Sequence, residues 1–203
     1  MKKYRIMTEE QARAFAGIAQ SLEWSEGKAR TAALTGSVKC NEEILAHPSL
    51  DEIGKMILRP AAVQLDTVPL KLHSPKYSRY QDGNRYKAHT DSPWMAVTRT
   101  DLSCTLWLND EYEGGELSIN GLKLKGKPGE CVIYECGEPH EVMPVTAGAR
   151  IAVITWIQSR IRDPIKRKWI SDMRKFLAGF EDDTERFLEG SRLYSAMLRR
   201  WTE

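Results

Sequence analysis

The sequence predicts an α+β fold, a mainly β core held between helical flanks, and three observations predict it. Apolar residues recur at helical spacing near both ends of the chain. Between them, residues 63–159 break into short β-type runs, and turn signals separate those runs at the spacing of an all-β sandwich or barrel. The expected division is a helical N-terminal layer over residues 1–62, the β core over 63–160 and a C-terminal helical extension over 161–203, all within one domain. At 203 residues the chain is long enough to bury a core without metal or disulfide staples.

Taken in order, Thr8 can cap a helix, with Gln11 in capping-box position and Phe15, Ile18, Ala19 and Leu22 on one face, so a helix is expected to end near Trp24. Residues 25–37 are small and polar. Residues 41–58 offer a second amphipathic helical stretch, interrupted by Pro48. In the core, Asp82-Gly83-Asn84, Glu113-Gly114-Gly115, Lys127-Pro128-Gly129 and Thr146-Ala147-Gly148 mark turns. Leu102, Cys104, Leu106 and Leu108 alternate with Ser103, Thr105 and Trp107, as in a strand with one buried face. Residues 150–158 alternate too, placing Arg150, Ala152, Ile154, Trp156 and Gln158 on one side.

Beyond Ser159, Asp163-Pro164 reads as an N-cap and first helical residue. Ile165, Trp169, Met173 and Phe176 or Leu177 follow at helical spacing, and Gly179 stops the run. Phe187, Tyr194, Met197, Leu198 and Trp201 mark a last helix whose stripe is expected to pack on the core. The terminal helices also offer faces for a homodimer.

Thirty basic residues stand against 28 acidic, a net charge of +2, so no global field draws the chain onto nucleic acid or anionic membrane. The basic run RIRDPIKRK, residues 160–168, reads as a solvated helix start. No apolar stretch approaches a bilayer's thickness, and the first residues run into Glu9, Glu10 and Gln11 in place of an apolar signal core. Cys40, Cys104, Cys131 and Cys136 form no CxxC pair, which suits reduced thiols in the cytoplasm.

Four histidines carry the question of chemistry. His47 and His73 lack a carboxylate at ligand spacing and read as structural. In His89-Thr90-Asp91, extended backbone points both outer side chains the same way, setting an imidazole and a carboxylate beside one metal. The triplet alone is a weak signal, and a hydrogen-bonded His–Asp pair at a strand end explains it as well. His140, opening a strand-like run, supplies a third ligand. Two histidines and one carboxylate leave up to three positions open on an octahedral metal, as iron(II) oxygenases require, whereas structural zinc takes four ligands. Arg150 follows ten residues later, across a turn at Thr146-Ala147-Gly148 expected to fold the strand back as a hairpin. A guanidinium facing into a barrel needs an anionic partner, and a dicarboxylic co-substrate would satisfy it.

With these residues the chain resembles the 2-oxoglutarate and iron(II) oxygenases of the prolyl 4-hydroxylase type, most closely the bacterial PKHD-type hydroxylases. The likeness runs through Ser74-Pro75-Lys76-Tyr77-Ser78-Arg79-Tyr80, Tyr86-Lys87-Ala88-His89-Thr90-Asp91, Arg99-Thr100-Asp101-Leu102-Ser103-Cys104-Thr105-Leu106, Gly114-Gly115-Glu116-Leu117, Pro144-Val145-Thr146 and Trp156-Ile157-Gln158-Ser159, to a similar tail ending at Arg200-Trp201. The resemblance implies a double-stranded β-helix, or jelly roll, flanked by N-terminal and C-terminal helices. It implies His89, Asp91 and His140 as the triad for Fe(II), Arg150 on the distal carboxylate of 2-oxoglutarate, and Tyr80 hydrogen-bonded to that co-substrate. Tyr86 and Trp156 would line the substrate pocket, and O2 would be the second co-substrate. The implied reaction hydroxylates an unactivated C–H bond of an amino-acid-like, peptidyl or other small substrate and releases succinate and CO2.

Two departures from the family pattern flank the expected pocket mouth. The stretch Ser92-Pro93-Trp94-Met95-Ala96-Val97-Thr98 is short, and Glu135-Cys136-Gly137-Glu138-Pro139 replaces a small, serine-rich approach to His140. Asp91 fills the position that halogenases of this fold leave small. Trp156 stands where the nucleic-acid demethylases of the fold place a second arginine. Two non-enzymatic readings stay open: an iron and 2-oxoglutarate sensor using the same ligands, and a cupin-like ligand-binding protein, which explains Arg150 poorly.

Overall fold

Alternation along the central strands decides the architecture. All six residues of Leu102–Trp107 are buried, but its two faces go different ways. Leu102, Cys104 and Leu106 join Tyr77, Ile151, Val153 and Ile157 in a core shared with the helices. Trp107 joins Tyr80, Tyr134, Leu117 and Val142 in a second core between two sheets. A strand with helices on one side and a second sheet on the other is buried on both, so its polar face, Ser103 and Thr105, looks into the interior and not into solvent. The computed structural model describes residues 1–27, 39–180 and 182–202.

The larger sheet runs Lys2–Arg5, Glu130–Glu135, Leu102–Trp107, Val145–Ser159, Lys76–Gln81, Glu42–Ile44 and Ser25–Glu26, each antiparallel to its neighbour. Pro69–Leu72 and Tyr112–Gly114 pair with the two ends of the long strand Val145–Ser159. The smaller sheet runs Leu122–Leu124, Leu117–Ile119, His140–Val142, Arg85–His89 and Lys39–Cys40. Helices Glu9–Gln20, Pro48–Leu58 and Ala61–Thr67 cover the outer face of the larger sheet through Ala12, Phe15, Leu50, Ile53 and Val63. Two opposed antiparallel sheets with helices outside form the predicted α+β, jelly-roll arrangement.

Several expectations give way in the N-terminal third. The capping box at Thr8 and Gln11 forms as predicted, but the helix ends at Gln20, short of Trp24. The layer expected to be helical also contributes four strands, Lys2–Arg5, Ser25–Glu26, Lys39–Cys40 and Glu42–Ile44, recruited to the edges of the two sheets. Ladder pairing outweighs the weak helix preference of such short runs. Pro48 opens a helix and interrupts none: at the first helical position its missing N–H costs nothing, and His47 Nδ1 caps by accepting from the Ser49 amide. From residue 28 onward the polar stretch 25–37 lies outside the described residues.

At the other end Asp163 caps helix Pro164–Ala178 and Gly179 ends it, as predicted. Its buried side, however, is Arg167, Ile170, Ser171 and Leu177, while Ile165, Trp169 and Phe176 are exposed. Polar anchors set this rotation. Arg167 bonds Glu135 and the carbonyls of Ile161 and Arg162, and Ser171 donates to Asp66 at 2.7 Å. Arg167 is thus buried within a run expected to be solvated. The last helix, Thr184–Trp201, fully buries no residue, against the expectation that its stripe packs on the core. It leans on the preceding helix at Gly190, where a Cβ would lie 2.3 Å from Leu177 Cδ2. Among the described residues no helix is long and apolar enough to cross a membrane.

Candidate active site

His89 and His140 face each other across the smaller sheet, paired in register with ring centroids 4.3 Å apart. Asp91 lies just beyond the end of Arg85–His89, where its amide donates to the Cys136 carbonyl at 3.1 Å. Its carboxylate accepts from the Ser103 hydroxyl and comes within 3.6 Å of His140 Nε2. One ligand atom from each of the three residues lies within 4.8 Å of the other two. This is the only such group among the described residues.

The tautomers suit a metal. Nδ1 of His89 is 2.8 Å from the Lys87 carbonyl and Nδ1 of His140 is 2.9 Å from that of Glu138. A carbonyl only accepts, so each Nδ1 carries a proton, and in the neutral ring Nε2 is the nitrogen left to ligate. Burial, and next the neighbouring His140, bring the His89 pKa down to about 4, so its ring is neutral and able to ligate at neutral pH. Tyr86 stacks on the His89 ring at 3.6 Å and fixes its plane.

Arg150 reaches the same cavity, but not by the expected hairpin. Thr146, Ala147 and Gly148 lie inside the continuous strand Val145–Ser159, and the chain changes sheets earlier, at Met143-Pro144. His140 and Arg150 therefore stand on opposite sheets and meet across the interior. The turn signal was misleading because Gly148, at φ 73°, serves a different need: it packs against Tyr112, where a Cβ would lie 2.5 Å from the Glu111 carbonyl oxygen. Gly115 similarly makes room for the arginine, since its Cβ would come within 3.2 Å of Arg150 Cδ.

The Arg150 side chain has no exposed surface; Nε, Nη1 and Nη2 make no well-aligned hydrogen bond, and the neighbour beside them is the neutral, buried Tyr112 hydroxyl, not a carboxylate. Its guanidinium carbon lies 5.4 Å from the Tyr80 ring centre, and the two residues are paired across their strands. Burial pushes the Tyr80 hydroxyl up to about 12, Arg150 opposing, so it remains a donor. His89, Asp91, His140, Arg150, Tyr80, Tyr86 and Trp156 all line this one cavity. A larger cleft between Lys2–Arg5 and helix Pro164–Ala178 contains none of them.

Four further residues at the site escaped the sequence reading. Ser103 fixes Asp91, and its signal is the polar alternation of Ser103 and Thr105, which by itself reads as a solvent face. Lys39, Glu43 and Lys76 line the cavity beside Trp156. Nothing local marks Lys39 and Glu43, which come from the N-terminal layer and arrive only through sheet pairing. Of the two histidines read as structural, His47 caps a helix and His73 packs edge-on to Trp156 at 5.7 Å.

Residues 75–158 match the family model described as the 2OG-Fe(II) oxygenase superfamily. A PKHD-type hydroxylase of Stenotrophomonas maltophilia is 33% identical, the alignment covering 98% of this chain and 96% of that protein. The PKHD-type hydroxylase YbiX of Shigella boydii is also 33% identical, with 91% and 90% covered. Among solved structures, a Pseudomonas putida prolyl-4-hydroxylase superposes with a TM-score of 0.60 at 19% identity, over 78% of this chain and 92% of that one. A viral collagen prolyl hydroxylase of Paramecium Bursaria Chlorella virus-1 gives 0.57 at 17% identity, over 78% and 95%. At these identities the structures speak for the double-stranded β-helix fold alone.

Proposed function

This chain belongs to the PKHD-type hydroxylases of the 2OG-Fe(II) oxygenase superfamily, and from that premise we propose how its residues divide the work of a 2-oxoglutarate-dependent dioxygenase. His89, Asp91 and His140 hold iron(II). Arg150, with Tyr80, receives the distal carboxylate of 2-oxoglutarate. Tyr86 and Trp156 line the seat of an amino-acid-like, peptidyl or other small substrate, which is hydroxylated at an unactivated C–H bond.

The observation that carries this reading is Arg150. A fully buried cation without an anionic partner is too costly to persist as a structural feature, and a carboxylate gripped by two parallel hydrogen bonds would relieve it. Iron(II) and 2-oxoglutarate, when bound, would supply the activation of dioxygen, which is the oxidant: one of its oxygen atoms enters the substrate C–H bond and the other succinate, with carbon dioxide released. The chain's own residues bind and orient. Ser103 holds the Asp91 carboxylate, the Lys87 and Glu138 carbonyls set the imidazole planes, and Ile154 and Trp156 wall the cavity against water. Four free cysteines, three of them buried, support a cytoplasmic setting.

Anaerobic addition of iron(II) and 2-oxoglutarate is expected to give a weak visible charge-transfer band, lost in His140→Ala. No band in the wild type would overturn the reading. Aerobic succinate release stimulated by a substrate then separates an enzyme from a sensor using the same ligands.

A further inference from the structure

Among the described residues, three charged side chains that line the cavity do not balance. Lys39 Nζ and Lys76 Nζ both lie 2.6 Å from the same oxygen of Glu43, Oε1. The Lys39 and Glu43 side chains are each only 7% exposed and that of Lys76 19%. Asn41 also faces Glu43, with Tyr80 and Tyr86 nearby, and among the described residues none of these three adds a charge. Two ammonium groups thus share one carboxylate, leaving one positive charge over. Burial, and next the neighbouring Lys76, pull the Lys39 ammonium below the ordinary lysine value, with Glu43 opposing.

The surplus is not consumed by the chemistry already assigned. The two charges of iron(II) and the one of Arg150 meet one from Asp91 and two from 2-oxoglutarate, so that group closes by itself. The ion pairs of both lysines are with Glu43 and not with Asp91. Lys76 pairs with Ile154 across the sheet, four residues along from Arg150, and its Nζ lies 5.3 Å from the centre of the Trp156 ring. The buried Trp156 Nε1–H also has no acceptor. Lys39 lies 5.5 Å over the Tyr86 ring. Both ammonium groups therefore sit on the two aromatic residues assigned above to the substrate, and an unpaired donor waits beside them.

We propose that Lys39 and Lys76 are specificity-determining residues that receive a free carboxylate of the substrate, so that the natural substrate is a small carboxylic acid and not its amide or an internal peptide residue. Glu43 holds the two ammonium groups together and keeps them charged in the absence of substrate. A carboxylate entering between them restores neutrality, and Trp156 supplies an apolar wall for the adjoining carbons. The inference rests on the oxygenase reading and narrows its substrate class.

The test uses protein loaded anaerobically with iron(II) and saturating 2-oxoglutarate, so that Arg150 is occupied, and titrated with benzoate and with benzamide by calorimetry. Benzoate is expected to bind at least ten-fold more tightly than benzamide. Lys76→Met should erase the difference and Lys76→Arg should keep it. Because Lys76→Met leaves a neutral Lys39–Glu43 pair, it should fold normally, whereas Glu43→Gln strands two buried cations and should lower Tm. Equal affinity for the two probes, no benzoate binding, or a preference for benzoate that survives Lys76→Met would overturn the proposal. Failure of the underlying oxygenase reading shows itself separately, as the absence of the visible band before any probe is added.

Discussion

Two buried arginines of this protein have opposite surroundings. Arg167, 4% exposed, donates to the Glu135 carboxylate and to the carbonyls of Ile161 and Arg162. Arg150, with no exposed surface, has no carboxylate or carbonyl partner and only the neutral Tyr112 hydroxyl beside it. Both cost the same kind of desolvation, but only one is repaid by the chain itself. The difference separates a charge that holds the molecule together from one that the proposed function assigns to a ligand. The Lys39–Glu43–Lys76 trio falls between them, half compensated, and so does its proposed role.

The sharpest contrast lies in what happens when each arginine is removed. Arg167→Ala strands Glu135 and two carbonyls; since Glu135 is about one-third exposed, the loss is put at about 2 kcal/mol, less than for a wholly buried pair. For a chain of this size that lowers Tm by about 4–8 °C in a thermal melt. Arg150→Met removes an unpaired buried charge, so the ligand-free protein should melt at the same temperature or higher. A large destabilisation by Arg150→Met would erase the distinction.

A negative charge with its partners in place gives a smaller effect of the same kind. Asp66 ties the first strand to helix Pro164–Ala178 through Lys2 at 2.8 Å, Tyr4 at 2.8 Å, Ser171 at 2.7 Å and Arg174 at 3.0 Å. Burial alone would raise its pKa, but these hydrogen bonds outweigh it and hold the carboxyl well below the usual carboxylate range. A depressed folded-state pKa means that this stabilisation is complete above the unfolded value of about 4 and is lost as pH falls through the folded one. Asp66→Asn is expected to cost about 1.5 kcal/mol at pH 7 and to flatten the acid limb of stability against pH in denaturant titrations. An unchanged acid limb would remove Asp66 from this account.

How much of this was legible beforehand follows from how local each signal is. The capping box at Thr8 and Gln11, the Asp163-Pro164 start and the parity of Arg150, Ile154 and Trp156 depend on neighbours within one element, and all appear in the structure. His89, Asp91 and His140 were visible because few histidines compete and because the order of matched segments carries the family pattern. The misreadings are long-range. Thr146-Ala147-Gly148 has the composition of a turn, yet pairing with Tyr112–Gly114 keeps it extended. The apolar stripe of Ile165, Trp169 and Phe176 lost to Arg167 and Ser171, whose partners Glu135 and Asp66 lie 32 and 105 residues away. Lys39 and Glu43 gained a place at the site only because Lys39–Cys40 and Glu42–Ile44 pair with strands that already line it.

The claim that matters most is that the guanidinium of Arg150, buried without an anionic partner, exists to receive the distal carboxylate of 2-oxoglutarate. Its most direct test is calorimetry on the manganese(II)-loaded protein with 2-oxoglutarate and with 2-oxopentanoate, which keeps the chelating end and lacks the distal carboxylate. Wild type should prefer 2-oxoglutarate by about 100-fold, close to 2.7 kcal/mol, and Arg150→Met should bind the two alike. A preference that survives in Arg150→Met would place the carboxylate elsewhere and contradict the account.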